Sequence, residues 1–486
     1  MEQVRVTGDH VSVKFEKPYP EQLFREAMSY RVKGWFFIPA VKNGTWDGYK
    51  SLITRGKVST GLYRAIKQEL EQTGGITFDE HIVLSDPPPI VPGIKSDRLH
   101  QNECVEAMIK SLPLGGGTIL AATSSGKTAV AAFFYSQVSG NHLFIVDQRK
   151  LLHQARADIA NFLKEPVGIV GDGYFEPGRV TVATIQTLDG IDKWGVQAKQ
   201  QRLMEYLGCL ETTIVDEVHV QLSQRNFDVV GNLNPRARFG LTATLQLSER
   251  EVWLKVSAFS GPVIYTYPIE RGIREGILSK VVYYQILFPP CVPQKELDAN
   301  PGIDERWELV VTAPDKNAAL KMLTRGYLKR NRYLVTLADR HDHIDYASRM
   351  LHEFNPMIIT GLTKRNKADD YIDQFERGIN RHIIASRVFN KGISIKRIDT
   401  IINIGETEDA NTIVQQIGRE LRLHEAKDGA IFVDFGTTTY RYGKAARARL
   451  EAVKAAGIPV RVFHWGRDRE AFFAACKPAS QMELPI

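Results

Sequence analysis

The sequence predicts an α/β protein in which two tandem parallel α/β domains follow a small α+β domain. Short apolar runs alternate with helical stretches from residue 97 to residue 440, which is the pattern of doubly wound parallel sheets. A strand, a turn of small residues and a Gly-Lys-Thr helix start occur together near residue 120. Before them, the prolines of segment 85–93 cannot continue a helix or a central strand and predict a semi-rigid spacer. The predicted strands are 143–147, 180–184, 212–215 and 237–241 in the first series, and 333–337, 357–360, 382–385, 400–404 and 430–435 in the second.

The turn at residues 121–128 lies between a predicted buried strand, 117–120, and a predicted helix, 129–138. Backbone N–H groups of such a turn point inward and, with the helix N-terminus, form a site for polyphosphate. We expect Lys127 to reach the β- and γ-phosphates and the Thr128 hydroxyl to bind Mg²⁺. Ala121 replaces the usual first glycine, and a Ser/Gly turn that merely starts a helix is the alternative for this motif alone. The predicted nucleotide ligands are Thr123, Ser124, Ser125, Gly126, Lys127 and Thr128.

Two adjacent carboxylates, Asp216 and Glu217, follow the apolar strand 213–215. The carboxyl ends of strands are where α/β sheets place their ligands. We expect Asp216 to hold Mg²⁺ and Glu217 to orient or deprotonate an attacking water. Such pairs are common on protein surfaces, but the preceding apolar strand and the upstream phosphate loop favour a catalytic role. His219 is either a structural histidine or a link between the ATP site and motion.

The second series of strands and helices supplies the run 415–422, which contains Gln415, Arg419 and Arg422. Two arginines three residues apart on a helical turn face the same way. Their planar charges suit the spreading negative charge of a phosphoryl-transfer transition state. The sequence therefore predicts that one triphosphate is shared by the two α/β domains, with the carboxylates in the first and the arginines in the second.

Length and composition describe a protein of several domains. At 486 residues the chain exceeds one ordinary core, and we expect about three domains. The net charge of +7 fits a polyanionic partner without requiring one. Four widely separated cysteines exclude a zinc ribbon and argue against a disulfide scaffold. No stretch approaches the ~20 apolar residues of a membrane span, and the first residues do not begin a signal peptide, so we expect a cytoplasmic protein without a membrane partner.

The first 85 residues have a pattern of their own. Alternating valines on either side of Gly8 and Asp9 predict a hairpin, residues 20–31 and 61–72 predict helices, and 35–38 predict a strand. The turn 42–50 carries two aromatic side chains among basic and amide groups, which can stack on bases and hold phosphates. Trp46 and Lys50 are the candidates there. The alternative, at even odds, is that Trp46 fills a small core and the lysines are solvated.

These patterns predict five segments. They are an α+β accessory and DNA-binding domain (1–85), a proline-rich linker (86–96), an α/β domain with the phosphate loop and the carboxylates (97–265), an α/β domain with the arginines (266–440), and a basic helical C-terminal extension (441–486). In the extension, the helix is predicted over 441–454, and the tail beyond it has no clear pattern.

The motifs together resemble those of the superfamily-two helicases and translocases. Residues 121–128 look like their motif I, 216–219 like a DExH form of motif II, 241–244 like motif III, and 415–422 like motif VI. The resemblance implies two RecA-like domains, ATP as the nucleotide, and adenine recognition by Gln101. It also implies a phosphate contact by Gly392 and nucleic-acid contacts by Arg149, Lys150, Thr184, Gln186 and Asn390.

Within that superfamily the chain is most similar to the phage UvsW-type branch-migration and recombination helicases, which carry a similar amino-terminal Trp-Asp-Gly turn. The resemblance implies unwinding or branch migration of branched DNA or single-strand/duplex junctions, with 3′ to 5′ polarity, by a monomer in the host cytoplasm. RNA–DNA hybrids are a second substrate class. Three alternatives stay open: a double-strand DNA translocase that does not separate strands, a nucleotide-gated DNA-binding platform, and a less favoured RNA helicase.

Overall fold

The computed structural model forms two compact units, Met1–Ala121 with Gly126–Tyr267 and Ala122–Ser125 with Pro268–Ile486. The described part of the chain contains no helix with the length and apolar character needed to cross a bilayer. The residues that the structure describes are 2–7, 10–14, 18–53, 57–74, 78–83, 86–190, 197–221, 224–231, 233–243, 250–299, 304–386, 395–406, 410–420, 422–425, 427 and 429–475.

A four-stranded sheet begins the first unit, and the predicted amino-terminal hairpin is confirmed as β1 and β2. The sheet order is β5-β2-β1-β6, with β1 antiparallel to β2 and parallel to β6. Leu62, Ile66 and Leu70 of α3 form the buried face that the helical spacing predicted. The elements here are β1 (Glu2–Thr7), β2 (His10–Lys14), α1 (Pro18–Ala27), β3 (Ser29–Arg31), α2 (Pro39–Lys42), β4 (Tyr49–Ser51), β5 (Lys57–Ser59), α3 (Thr60–Gly74) and β6 (Phe78–Val83).

Two predictions in this region are wrong in part. The helix predicted over 20–31 ends at Ala27, and Ser29–Arg31 is a strand paired with β4. The strand predicted over 35–38 is a 3₁₀ turn, Trp35–Phe37, because Gly34 takes a φ of +73° and its carbonyl accepts a hydrogen bond from Phe37 N at 2.9 Å.

The rest of the first unit is built on an eight-stranded sheet of order β10-β9-β11-β8-β12-β13-β7-β14. The four strands predicted in this series are confirmed, and their pairing along the middle of the sheet is parallel. The elements are α4 (Leu99–Ser111), β7 (Gly116–Ala121), α5 (Lys127–Gln137), β8 (Asn141–Val146), α6 (Arg149–Leu163), β9 (Gly168–Gly171), β10 (Tyr174–Glu176), β11 (Val180–Thr184), α7 (Ile185–Asp189), α8 (Gln197–Gly208), β12 (Leu210–Val215), α9 (Val218–Gln221), α10 (Gln224–Gly231), β13 (Ala237–Thr242), α11 (Arg250–Ser260) and β14 (Val263–Tyr267).

The amino-terminal sheet and the eight-stranded sheet share packing within this unit. Leu254 of α11 belongs to the same buried cluster as Val11, Leu62 and Ile66. A Cβ on Gly61 would lie 2.6 Å from the Ser257 carbonyl oxygen, so only glycine allows α3 to approach α11 this closely. The proline-rich segment also lies against the unit, since Val91 N donates to the Gln137 carbonyl at 2.9 Å. The five-segment division of the chain stays a prediction.

The second unit is built on a seven-stranded sheet of order β17-β18-β16-β19-β20-β15-β21, and the ladders within it are parallel. All five strands predicted for this series are confirmed, while β15 and β21 were not predicted. The elements are α12 (Ile269–Arg274), β15 (Val281–Phe288), α13 (Gln294–Ala299), α14 (Pro314–Lys329), β16 (Leu334–Leu337), α15 (His341–Met350), β17 (Met357–Ile359), α16 (Arg365–Glu376), β18 (His382–Ala385), β19 (Thr400–Asn403), α17 (Ala410–Glu420), β20 (Ala430–Thr437), α18 (Tyr440–Ala455), β21 (Val460–His464) and α19 (Arg469–Ala475).

The predicted basic helix near the C-terminus is confirmed as α18, but its two arginines differ in surroundings. Arg447 is exposed, whereas Arg449 is fully buried. The Arg449 Nε donates to Asp434 Oδ2 at 2.9 Å, and its Nη2 donates to Glu406 Oε2 at 3.3 Å. Beyond α18, the tail adds β21 to the sheet beside β15. The helix therefore contributes a buried ion cluster to the core of the second unit.

Candidate active site

The phosphate-loop sequence forms a turn at the carboxyl end of β7. Ser124 and Gly126 have φ angles of +69° and +90°, and α5 begins at Lys127. A Cβ on residue 126 would lie 2.4 Å from the Gln101 side-chain nitrogen, so glycine is needed there for both conformation and space. The Lys127 ammonium donates to the Ala121 carbonyl at 3.1 Å. The loop therefore has the strand, turn and helix context that the motif requires.

Gln101 is buried at the start of α4, and its neighbours fix its position. The Ser96 hydroxyl donates to Gln101 Oε1, and Ser96 N donates to Asn102 Oδ1 at 2.9 Å. The Asn102 amide donates back to the Ser96 carbonyl at 2.7 Å. Sequence reasoning missed Ser96, although a serine shortly before a helix start is a familiar signal of local side-chain capping. The structure brings Gln101 to the phosphate loop, and adenine recognition by Gln101 stays a prediction.

Asp216 and Glu217 lie immediately after β12, as predicted. Burial raises the pKa of Asp216 to about 7, with the neighbouring Glu217 carboxylate adding to this effect and the Lys127 ammonium opposing it. The Glu217 backbone has a φ of +45°, and its N–H donates to Asp216 Oδ1 at 3.0 Å. A positive φ is uncommon for a residue other than glycine, and such backbone conformations cluster at functional sites.

His219 links the carboxylates to the next strand. Its Nδ1 lies 2.7 Å from the Thr242 hydroxyl at the end of β13 and 3.6 Å from Glu217 Oε2. Thr242 belongs to the segment that resembles motif III, while Thr244 of the same segment lies outside the described residues. The hydrogen bond to Thr242 joins the motif II and motif III segments, and coupling of the ATP site to motion by His219 stays a prediction.

The predicted nucleic-acid ligands of the first unit lie at the ends of two neighbouring strands. Arg149 and Lys150 are exposed at the start of α6, after β8, and Gln186 is exposed after β11. Gln186 Nε2 donates to the Asp147 carbonyl at 2.9 Å and so joins the two segments. Thr184 is buried, and its hydroxyl lies 2.7 Å from that of Thr187. Contact of these residues with DNA stays a prediction.

In the amino-terminal turn, Trp46 and Lys50 are placed differently. Lys50 is exposed, whereas Trp46 is half-buried and its indole N–H donates to the Tyr49 carbonyl at 2.8 Å. Trp46 is not part of the buried cluster around Leu62 and Ile66, and base contact by Trp46 and Lys50 stays a prediction.

The motif VI segment occupies α17 and the bend after it, both in the second unit. Gln415 is half-buried on α17, and Arg419 lies on the same helix, with its side chain outside the described part. The prediction that both arginines lie on one helical turn is wrong for Arg422, because α17 ends at Glu420. The Arg422 carbonyl instead accepts hydrogen bonds from Ser279 Oγ at 3.0 Å and Lys427 Nζ at 3.2 Å. Asn390 and Gly392 lie outside the described residues.

Burial lowers the pKa of Arg422, and the Glu376 carboxylate opposes that shift. In the same compact unit, which includes Ala122–Ser125, the Ser124 hydroxyl donates to the Gly418 carbonyl at 3.0 Å. Gly418 directly precedes Arg419, so within this unit the hydrogen bond joins Ser124 to the helix that carries Arg419.

The donor set fits a nucleoside triphosphate with Mg²⁺. Glu217 Oε2 is buried and accepts no hydrogen bond from the described residues, which leaves a carboxylate oxygen available beside Asp216. The described residues hold no cluster of three or more His, Cys, Asp or Glu side chains that could bind a metal. Mg²⁺ held through one carboxylate, one hydroxyl and substrate phosphates needs no such cluster.

Comparisons with known proteins agree with this geometry. Residues 94–247 match the family described as "Type III restriction enzyme, res subunit", and residues 315–424 match the "Helicase conserved C-terminal domain". The DNA 3'-5' translocase XPB2 of Sulfurisphaera tokodaii is 23% identical over 412 residues, which cover 76% of this chain and 89% of that protein. The ATP-dependent DNA helicase uvsW of Enterobacteria phage T4 is 22% identical over 471 residues, which cover 86% and 87%.

A likeness to a solved structure supports the fold. The ATP-dependent Type ISP restriction-modification enzyme LlaBIII, bound to DNA, superposes with a TM-score of 0.55 at 15% identity, over 79% of this chain and 32% of that one. The two parallel sheets, the phosphate loop and the two matching helicase families give one conclusion. This chain is a homologue of T4 UvsW and belongs to the ATP-hydrolysing helicases of superfamily two.

Proposed function

We propose that this helicase uses ATP to unwind or branch-migrate branched DNA, such as forks, junctions, D-loops and R-loops, in recombination, repair and replication restart. The alignment with the phage T4 DNA helicase over most of both chains supports DNA as the substrate. The translocase name of the XPB2 relative supports movement from 3′ to 5′. We further propose a phage-type protein that acts as a monomer in the cytoplasm, with RNA–DNA hybrids as a second substrate.

In the proposed ATP site, each side chain has one task. Lys127 and the loop N–H groups bind the β- and γ-phosphates, while Thr128 and Asp216 hold Mg²⁺. When bound, Mg²⁺ neutralises charge on the phosphate oxygens. Glu217 orients the attacking water and accepts its proton. Gln415, Arg419 and Arg422 are proposed to act on the same triphosphate as stabilisers of its developing charge.

One observation carries the proposal of ATP turnover: the buried Glu217 Oε2 accepts no hydrogen bond from the described residues, and it lies beside a carboxylate that interacts with Lys127. A buried acceptor without a donor is unfavourable for folding. Such an oxygen is common at sites where a substrate or a water supplies the missing donor.

We predict that Glu217→Gln lowers DNA-stimulated ATP hydrolysis by about 10²- to 10⁴-fold, the usual contribution of a general base. The amide has the shape of the carboxylate but accepts no proton, so DNA affinity should be unchanged. The measurement is steady-state phosphate release with single-stranded, duplex, forked and four-way DNA and with RNA–DNA hybrids.

Glu205→Gln is the matched control, because Glu205 is exposed on α8 and should turn over ATP at the normal rate. Normal turnover in Glu217→Gln would contradict the assigned role. Equal stimulation by duplex and by branched DNA would contradict the proposed preference for branched substrates.

Two alternative functions are separated by further measurements. A double-strand translocase would displace a triplex-forming strand but would not release a labelled strand from a fork. A nucleotide-gated binding platform would bind forked DNA in an ATP-dependent way without steady-state phosphate release.

A further inference from the structure

We propose that an exposed aromatic face in the amino-terminal part of the first unit stacks on unpaired bases of single-stranded DNA. The inference rests on the proposed function, because a branched substrate offers such bases. The aromatic face consists of Phe36, Phe37 and Tyr49, with Arg31, Lys42 and the half-buried Trp35 next to them.

The aromatic face is exposed to solvent to an unusual degree for large apolar side chains. Phe36 is 64% exposed, Phe37 is 75% exposed and Tyr49 is 47% exposed. They are the strongly exposed large apolar side chains of the described residues before the proline-rich segment. The Phe36 ring centroid lies 5.9 Å from that of Phe37 and 5.9 Å from that of Trp35, and Arg31 lies near both Trp35 and Tyr49. Single exposed apolar residues are ordinary, but a contiguous group of aromatic rings marks a binding surface.

The backbone that carries these rings is held by a dense set of local hydrogen bonds. β3 and β4 pair, and the chain between them is fixed by Trp35 N to the Val32 carbonyl at 3.0 Å and by Trp46 N to the Ala40 carbonyl at 3.1 Å. Trp35 packs on Gly48, where a Cβ would lie 3.0 Å from the Trp35 Cβ. The rings therefore present a preorganised surface, which lowers the entropy that binding would otherwise lose.

Cations accompany the rings. The Arg31 guanidinium carbon lies 3.6 Å from the Trp35 ring centroid and 5.2 Å from that of Tyr49. The Lys42 ammonium lies 6.0 Å from the Phe37 ring centroid. Within the described residues, neither Arg31 nor Lys42 forms an ion pair with a carboxylate, so their charge remains available to a ligand.

The charge of this segment selects the kind of partner. Residues 29–53 contain four Lys and Arg side chains and one carboxylate, Asp47, whose Oδ1 accepts a hydrogen bond from Tyr49 N at 2.9 Å. Aromatic rings with a basic rim match the bases and phosphates of single-stranded nucleic acid. An apolar protein surface would match the rings but would leave the cations without a counter-charge.

The test uses the full chain and a forked DNA whose single-stranded arm carries either normal bases or abasic sites, with the same number of phosphates. Fluorescence anisotropy without ATP measures affinity for each fork. Wild type is expected to bind the normal arm about tenfold more tightly than the abasic arm, as base stacking requires. The double variant Phe36→Ala with Phe37→Ala is expected to bind both forks at the abasic level.

Two further variants serve as controls. One removes an exposed apolar side chain elsewhere in the chain, and the other removes a positive charge beside the rings. Leu362→Ala removes an apolar side chain that is 82% exposed in the second unit, and it should keep the wild-type preference for bases. Lys42→Gln should weaken binding to both forks equally. It should also make the slope of log K against log salt concentration less steep by about one, which corresponds to one fewer released counterion.

Equal wild-type affinity for the two forks would overturn the inference, and so would a wild-type preference in the double variant. If the double variant kept both the wild-type preference for bases and the wild-type affinity for the forks, the aromatic face would be assigned to a protein partner. DNA-stimulated phosphate release, measured in parallel, tests the proposed function independently. Normal stimulation without base preference rejects the aromatic face alone, whereas no stimulation in wild type rejects the proposed function.

Discussion

At the scale of single residues, Gly126 has two independent reasons to be glycine. Its φ of +90° is strained for any residue with a Cβ, and a Cβ would lie 2.4 Å from the Gln101 amide. We predict that Gly126→Ala displaces Gln101 and abolishes ATP binding, because both lie at the phosphate loop. Nucleotide affinity measured by titration with a fluorescent ATP analogue checks this.

Gly115 offers the matched control. It has a φ of +80°, but a Cβ there would meet no atom within 4 Å. Gly115→Ala should therefore lose only about 1 kcal/mol of folding stability from backbone strain and should bind ATP normally. If both variants bound ATP equally, the contact with Gln101 would have no part in shaping the loop.

At the scale of elements, the helix α18 carries one buried arginine, Arg449, and one exposed arginine, Arg447. Inside the second unit, Arg449 donates hydrogen bonds to the Asp434 and Glu406 carboxylates. Glu406 also accepts a hydrogen bond from Lys316 Nζ at 2.7 Å. We predict that Arg449→Met lowers the free energy of unfolding by about 3 to 5 kcal/mol, because it leaves the buried Asp434 carboxylate without its cation, while Glu406 keeps the Lys316 cation. Urea unfolding of the full chain measures the loss.

The comparison variant is Arg447→Met on the same helix. Arg447 is exposed, so its replacement should change stability by no more than about 0.5 kcal/mol. Similar losses in the two variants would show that the cluster around Arg449 does not stabilise the fold. The sequence alone did not separate these arginines, because they are only two residues apart in one basic run.

The same scale shows which elements sequence patterns could predict. Strands such as β11 and β18 are short and wholly buried, so their apolar runs predicted them with correct bounds. The segment after Gly34 has strand-like residues, but its backbone turns because that glycine adopts a left-handed conformation. The edge strand β21 mixes apolar and basic side chains and is mostly exposed, so the sequence contains no continuous apolar run there.

At the scale of the whole molecule, buried histidines in both units make stability depend on pH. Burial lowers the pKa of His142 to about 4 and those of His343 and His382 to about 3. Between pH 6.5 and 4 the unfolded chain binds protons that the folded histidines do not. The free energy of unfolding therefore falls as the pH falls through this range.

We predict that His142 alone contributes about 2 kcal/mol to the loss between pH 7 and pH 5, at 1.36 kcal/mol per pKa unit. Unfolding of the first unit by urea at the two pH values measures it. His142→Gln should remove that contribution, while His352→Gln, at an exposed position, should keep it. A variant lacking His142 with an unchanged pH dependence would contradict the prediction.

The sequence also predicted much of the ATP site at this scale, and the reason is physical. Asp216 and Glu217 directly follow the buried strand β12, and the loop after the buried strand β7 leads to Lys127. Parallel strands end at one edge of a sheet. His219 could not be assigned in the same way, because its partner Thr242 lies 23 residues further along the chain. Ser96 bonds Gln101 five residues away, a local contact that a serine before a helix start could have indicated. Tyr49 and Lys42 of the aromatic face lie in the turn 42–50, for which the sequence predicted stacking on bases. Phe36 and Phe37 were missed, because their residues predicted a strand where the structure has a 3₁₀ turn.

The place of β15 in the second sheet has a consequence for synthesis of the chain. Residues 281–288 pair on one side with 430–437 and on the other with 460–464, whereas the ladders of the eight-stranded sheet close within residues 116–267. Domains fold as units from the N-terminus, so the eight-stranded sheet can assemble during translation before β20 and β21 have been synthesised. Until then β15 has neither of its partner strands. A ribosome stalled before residue 430 therefore presents an apolar strand with two open edges, and this nascent intermediate is where chaperones would bind.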